Sequence, residues 1–279
     1  MRIRATTRLL GVIGDPVAHS LSPAMHNAAI TALGLDAVFL ALRSSPAAFE
    51  TLLRSLLAAG GAACVTVPYK REAARLADRP TDPVRRTGAC NTLWAQESAI
   101  LGDNTDVAAV RAEAQRLMDG RAPFRVLLLG TGGAARAAAV AIADAWPATE
   151  VVVASRSAQR TAEFMTWAGE AAVRCAAWDG GDAAPADLVV NATPLGLMPD
   201  DPLPLPEGGL QRLAPRALLD LVYARGETRL VREARSRGIG ASDGRGVLVL
   251  QGVAAFRRFF GVEPPAEIMR AAVEDGLRA

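Results

Sequence analysis

The sequence predicts an α/β protein of two domains, the first built on a mostly parallel sheet. Three observations predict it. Short apolar runs of strand length alternate with stretches of helical spacing through most of the chain, which is the pattern of strands joined by crossover helices. The pattern restarts at Phe124 after a connecting helix, so there are two such blocks rather than one. A chain of 279 residues, 51% of them hydrophobic, is long enough to bury two ordinary cores.

In the first block Leu9 to Ile13 reads as a buried strand closed by the turn Gly14-Asp15-Pro16. Ser22 is placed to cap the next helix, with Pro23 at its first position. That helix carries Met25, Ala28, Ala29 and Leu33 on one side and ends at Gly34. Val38 to Leu42 is a second strand. Ser45-Pro46 opens a second helix whose apolar face is Phe49, Leu52, Leu53, Leu56 and Leu57, and Gly60-Gly61 ends it. Ala62 to Val67 is a third strand that delivers Thr66 and Lys70 at its C-terminal end. A polar helical piece to Asp78, a β pair at Thr92 to Ala95 and Ala99 to Leu101, and a connecting helix from Val107 to Met118 complete the block.

The second block opens with the strand Phe124 to Leu129, the run Gly130-Thr131-Gly132-Gly133-Ala134-Ala135 and an Ala-rich helix to Trp146. Strands follow at Val151 to Val153, Leu188 to Val190 and Leu218 to Val222. Helices are expected at Ala158 to Ala168 and Thr228 to Arg237, with a Pro- and Asp-rich surface loop from Met198 to Pro206. Two helices close the chain, Val247 to Phe260 and Ala266 to Leu277.

Composition narrows the function. The formal charge is only +2 and the basic residues are scattered, so neither a nucleic acid nor an anionic membrane is expected as partner. No segment approaches an uncharged transmembrane span, and the apolar run after the basic N-terminus is too short for a signal peptide. Three widely spaced cysteines and two histidines form no C-x-x-C pair and no zinc-type cluster. The expectation is a cytoplasmic protein without a metal, either monomer or homodimer, acting on a small molecule.

Lys70 is the only lysine beside 30 arginines. Arginine keeps its proton in proteins, whereas a lysine ammonium can act as an acid and its amine as a base. A lone lysine after a β-type run and a proline is therefore a candidate proton-transfer group; the competing reading is an arginine-biased composition with one lysine left over. Ser20, Ser22, Thr66, Asn91, Thr92, Asn104 and Asp106 all fall at strand ends or loops. Their hydroxyls, amides and carboxylate suit a polyhydroxylated acid better than an apolar ligand.

Gly130-x-Gly132-x-x-Ala135 lies between an apolar strand and a helix, which makes it a Rossmann-type dinucleotide fingerprint. The first glycine makes the turn, the second admits a pyrophosphate, and the small third residue lets helix and strand pack. Gly130, Thr131, Gly132, Gly133 and Ala134 are thus cofactor-binding candidates. An NAD site usually has an acid at the end of the next strand, where this chain has Ser155, Arg156 and Ser157, followed by Arg160. Guanidinium groups and hydroxyls suit a 2′-phosphate, so the expected cofactor is NADP.

Taken together these segments resemble the shikimate dehydrogenase family. The resemblance rests on Gly14-Asp15-Pro16 with Ser20-Leu21-Ser22-Pro23, on Val65 to Lys70, on Gly88-Ala89-Cys90-Asn91-Thr92 and on Asp103-Asn104-Thr105-Asp106. It continues with the glycine run, Asn191-Ala192-Thr193-Pro194-Leu195-Gly196, Asp220-Leu221-Val222-Tyr223, and Asp243-Gly244 with Gln251. It implies NADPH-linked reduction of 3-dehydroshikimate to shikimate. Lys70 would be the acid/base and Asp106 its partner. Ser20 and Ser22, with Tyr223, would hold the substrate carboxylate, and Thr66, Asn91 and Gln251 the ring hydroxyls. Thr193, Leu221 and Gly244 join the cofactor set on the same ground. The division implied is a substrate domain at 1–105 completed by 243–279, a connecting helix at 106–121 and an NADP-binding domain at 122–242, with substrate in the cleft between the lobes.

The chain departs from the family pattern at four places. Cys64 stands where an asparagine is usual, Ser155 and Ser157 replace an amide and a threonine, no proline follows Tyr223, and Gly252 replaces alanine. Loss of one amide contact to a substrate hydroxyl costs about 1–3 kcal/mol. That is enough to admit quinate or an amino-shikimate as alternative substrate. A reading of another class is a non-catalytic NADP-binding sensor, which would have no use for Lys70 and Asp106.

Overall fold

The structure is a computed structural model that describes residues 3–178, 185–198 and 200–278. It divides into two compact units, Met1–Thr105 with Leu248–Ala279, and Asp106–Val247.

The first unit starts with β1 (Arg8–Gly14), α1 (Ser22–Ala32), β2 (Ala37–Arg43), a 3₁₀ turn at Pro46–Ala48, α2 (Phe49–Ala58) and β3 (Ala62–Val65). It continues through α3 (Lys70–Leu76), β4 (Arg79–Pro80), α4 (Asp82–Thr87), β5 (Thr92–Gln96) and β6 (Ala99–Asp103). These strands form one sheet in the order β2-β1-β3-β5-β6-β4. Its β1–β2, β1–β3 and β4–β6 pairings are parallel, and the hairpin strand β5 is antiparallel to both neighbours, so the sheet is mixed.

Because side chains alternate across a strand, β1 serves two cores. Leu10 and Val12 join Met25, Phe39, Cys64, Phe256 and Met269 on one face. Ile13 joins Phe49, Leu53, Val65 and Leu93 on the other.

The helix α5 (Thr105–Leu117) leads into the second unit, where β7 (Arg125–Leu129), α6 (Gly133–Ala145), β8 (Glu150–Ala154), α7 (Ala158–Glu170) and β9 (Cys175–Ala177) follow. The remainder is β10 (Leu188–Asn191), α8 (Gly209–Leu213), β11 (Ala217–Asp220), α9 (Arg229–Ser236) and β12 (Gly240–Ser242). The chain then returns through α10 (Arg245–Phe260) to α11 (Ala266–Arg278) in the first unit. The second sheet is wholly parallel, in the order β12-β11-β10-β7-β8-β9. Counted within the unit this is the doubly wound order, in which the chain reverses direction between β7 and β10. β10 and β11 are buried along their whole length, as unbroken apolar runs in a two-sided parallel sheet should be.

Three details correct the sequence reading. Ser22 is the first residue of α1 rather than its cap; Leu21 holds the cap position, and Ser20 Oγ accepts the Ser22 N–H at 3.3 Å. The third strand stops at Val65, and Lys70 begins α3 instead of trailing the strand. The pieces β4, α4, β9, α8 and β12 were not foreseen. In the expected loop from Met198 to Pro206, Pro199 lies outside the described residues; Asp201 Oδ2 accepts the N–H groups of Gly196 and Met198 at 3.0 and 2.9 Å. Among the described residues no helix is long and apolar enough to cross a membrane, and no group of three His, Cys, Asp or Glu could hold a metal ion.

Candidate active site

In the first unit the candidate residues gather where β3 ends. Gly14 is required there, since a Cβ on it would come within 2.4 Å of Thr66 Cγ2. The Cys90 N–H donates to the Lys70 carbonyl at 2.8 Å, and the Val65 N–H to the Asn91 carbonyl at 2.8 Å. Thr66, Lys70 and Asn91 are thereby drawn together by backbone bonds. Lys70 opens α3 and is half-buried, while Tyr69 beneath it is buried, stacked on Phe49 at 4.5 Å and hydrogen-bonded to the Ser44 carbonyl.

Asn91 is 3% exposed and ties this group to the start of α5. Its Oδ1 accepts the Thr105 N–H at 2.9 Å and the Thr92 hydroxyl at 2.9 Å, and its Nδ2 donates to Thr105 Oγ1 at 3.0 Å. Asp106 is the next residue, in the first turn of that helix. On α10, Gln251 is nearly buried, and its Nε2 donates to the Leu248 carbonyl at 2.8 Å. The helices of Ser22 and Gln251 meet closely, because a Cβ on Gly252 would lie 2.2 Å from Met25 Cε. The glycine at 252 is thus the counterpart of a methionine at 25. Cys64 belongs to the same apolar cluster as Met25 and is 5% exposed.

In the second unit the glycine run sits at the reversal of the sheet. Gly130 has φ +107°, and a Cβ there would stand 3.1 Å from the Ala192 carbonyl oxygen. Gly132 has open space where a side chain would be, and α6 begins at Gly133. Backbone N–H groups at a helix N-terminus, reached over an open glycine, suit a pyrophosphate. The cradle therefore fits a dinucleotide. Thr131, Gly133 and Ala134 all lie partly accessible along it.

At the end of β8 the hydroxyls shape the turn: Ser155 Oγ accepts the Ser157 N–H, and Ser157 Oγ caps α7 by accepting the Arg160 N–H, both at 3.3 Å. Arg156 and Arg160 are exposed beside them. Glu163, the first acid of α7, takes a hydrogen bond from Gln159.

Thr193 follows β10, with its hydroxyl on Asn191 Oδ1 at 2.7 Å. Leu221 is pressed by Gly244, whose Cβ, were there one, would be 2.3 Å from the Leu221 carbonyl oxygen. Tyr223 is half-buried just beyond.

Sequence reasoning missed the support beneath these positions. Asn191 Nδ2 donates to Asp220 Oδ1 at 2.8 Å, and the Thr228 hydroxyl donates to Asp220 Oδ2 at 2.7 Å while capping α9. Burial pushes the Asp220 carboxyl up to about 6 against the lowering effect of those donors. Its signal was available: both Asn191 and Asp220 close apolar strands in the second block. Burial also pushes the Cys90 thiol up to about 12, so it is no nucleophile.

A two-unit α/β protein with a doubly wound sheet and an open glycine turn at its reversal belongs to the dinucleotide-linked enzymes. Comparison with known proteins narrows this. Residues 12–93 match the family described as shikimate dehydrogenase substrate binding domain, and residues 244–274 the shikimate 5'-dehydrogenase C-terminal domain. A shikimate dehydrogenase (NADP(+)) of Microcystis aeruginosa is 38% identical over 97% of this chain and 98% of its own length. A crystal structure of a shikimate dehydrogenase in complex with NADP+ superposes with a TM-score of 0.89 at 30% identity, covering 99% of this chain and 98% of that one. The Thermus thermophilus enzyme in complex with NADP(H) and shikimate gives 0.82 at 34% identity over 96% and 99% of the two chains. The chain belongs to the shikimate dehydrogenase family.

Proposed function

We propose that this protein catalyses the reversible NADP-dependent reduction of 3-dehydroshikimate to shikimate. The observation that carries the reading is the full-length match to NADP-dependent shikimate dehydrogenases, with the chain's single lysine as the first residue of α3.

NADPH, when bound, supplies the hydride for the ring carbonyl carbon. The glycine run from Gly130 to Ala134 would hold its pyrophosphate. Ser155, Arg156, Ser157 and Arg160 would hold the 2′-phosphate, and Thr193, Leu221 and Gly244 the remainder. The residues of the chain do the rest. As the carbonyl becomes an alkoxide, the Lys70 ammonium stabilises the charge on oxygen and then gives up a proton to it. In the reverse direction the amine takes the hydroxyl proton. Asp106 orients the amine. Ser20 and Ser22 with Tyr223 hold the substrate carboxylate, while Thr66, Asn91 and Gln251 fix the ring hydroxyls. A substrate held at so many points has few other orientations, which is the larger part of positioning catalysis. The three free cysteines, two of them buried, fit a reducing cytoplasm.

Steady-state rates with shikimate or quinate, each with NADP or NAD, test the reading. Shikimate with NADP is expected to give the highest kcat/KM. The Lys70→Ala variant is expected to lose about 10²–10⁴ in kcat. Its KM for NADP should stay within about twofold. Turnover unchanged by that substitution discards the acid/base assignment. Cys64 favours a second substrate: a buried thiol in an apolar cluster is a poor partner for a ring hydroxyl, so discrimination against quinate should be weak.

A further inference from the structure

Asp103 has no part in the chemistry above, yet it is buried at 6% exposure beside the substrate residues and carries more connections than a surface carboxylate would. Its Oδ1 accepts the Thr81 hydroxyl at 2.7 Å and the Asn104 N–H at 2.8 Å. Its Oδ2 accepts the Arg258 Nε–H at 3.0 Å, and Nη2 of the same guanidinium lies 3.0 Å from that oxygen in an ion pair. Its backbone carbonyl accepts the Asn91 N–H at 3.1 Å. Arg258 comes from α10, 155 residues away in sequence, and its guanidinium lies 5.7 Å from the Trp94 ring centroid.

Gln251 and Arg258 are seven residues apart on α10, so they share one face of that helix. The face that presents Gln251 is therefore fastened to the residue that begins the run Asp103-Asn104-Thr105-Asp106. The two residues between are fastened as well. Asn104 Nδ2 donates to Thr87 Oγ1 at 3.0 Å and to the Ala89 carbonyl at 3.1 Å, and Thr105 is bonded to Asn91.

We propose that Asp103 and Arg258 form a positioning pair for the reaction, setting the register of Gln251 against Asn91 and the approach of the chain to Asp106. This rests on the activity proposed above. Arg258 is half exposed, so as a plain ion pair it would add little. Its weight lies in geometry: two nitrogens of a planar guanidinium converge on one oxygen of a carboxylate whose other oxygen is held by Thr81 and Asn104, which fixes direction as well as distance.

The test uses the full-length enzyme with D103N, R258M and the double variant. D103N keeps the shape but turns amide hydrogens toward the Arg258 fork; R258M keeps a stem over Trp94 and removes the fork. Each single variant is expected to raise the KM for shikimate and lower kcat/KM by about tenfold, with the KM for NADP within about twofold of wild type. The double variant should be no worse than the poorer single, because the two side chains act as one unit. Arg258→Lys should recover part of the loss. A shikimate KM unchanged in both single variants, or one that rises together with that for NADP, overturns the pair. A wild-type enzyme that fails to oxidise shikimate overturns the activity, and the pair with it; a working wild type beside unaffected variants overturns the pair alone.

Discussion

Each unit buries an ionisable side chain completely, and the two are treated differently. In the first, the His26 ring is stacked on Phe39 at 4.3 Å and on Phe256 at 6.0 Å, and neither ring nitrogen has a hydrogen-bond partner among the described residues. In the second, Asp220 is held by Asn191, Val222 and Thr228. Burial opposes the charged form of both, and the consequences run in opposite directions with pH. The base is pushed down to about 3 and the acid up to about 6. The histidine is a polar ring serving as an aromatic spacer, whereas the aspartate is the node of a network that joins two strand ends and a helix cap.

The largest effect is expected at His26. The unfolded imidazole takes up a proton below its ordinary value of 6.5, and the folded one resists until about 3. Stability contributed by neutral His26 is thus complete above pH 6.5 and is lost as the pH falls through that window, by about 3–5 kcal/mol in full. His26→Phe keeps the stack and removes both unpaired nitrogens. Thermal unfolding from pH 7 down to pH 4 should show a much shallower loss of Tm in the variant. An acid slope equal to that of wild type would mean His26 does not set it.

The second contrast is between two glycines. A Cβ at Gly244 would collide with backbone, the Leu221 carbonyl, whereas a Cβ at Gly252 would meet the far end of the Met25 side chain. Backbone cannot step aside, but a thioether can change rotamer. Gly244→Ala is expected to cost about 2–3 kcal/mol and raise the KM for NADP, while Gly252→Ala costs about 1 kcal/mol or less. Denaturant midpoints measured at constant m-value give both numbers, and equal costs would break the distinction.

How much of this was legible in the sequence follows the same division. The second unit announced itself, because four of its strands are buried apolar runs and its turn needs glycine where φ is +107°. Its short outer strands β9 and β12 did not, since three residues cannot display a period. In the first unit the parallel part was readable, but β4 and α4 were too brief. Ser22 looked like a cap because serine before proline usually is one; here the helix starts a residue earlier. Lys70 and Asn91 stood out by rarity and motif. Arg258 did not, being one arginine of 30, and only the fold brings it to Asp103. His26 was likewise hidden: nothing in a single histidine says that three phenylalanine rings surround it.

Asp220 has the smaller effect on stability, and its pH dependence is opposite in sign to that of His26. Folded Asp220 holds its proton to about 6, while the unfolded side chain releases it near 3.8. The folded state therefore binds more protons between those values, and the contribution of Asp220 to stability is complete below pH 3.8 and lost as the pH rises through 6. Asp220→Asn keeps an oxygen toward Asn191 and Val222 and can point its amide at the Thr228 hydroxyl. It should be nearly neutral at pH 4 and gain about 1–2 kcal/mol over wild type at pH 8. In a His26→Phe background, where the opposing acid limb is removed, wild-type Asp220 should make stability fall from pH 4 to pH 6 and the asparagine should abolish that fall. Stability that rises with pH in the Asp220 protein, once His26 is gone, would show that the donors from Asn191, Val222 and Thr228 outweigh the burial.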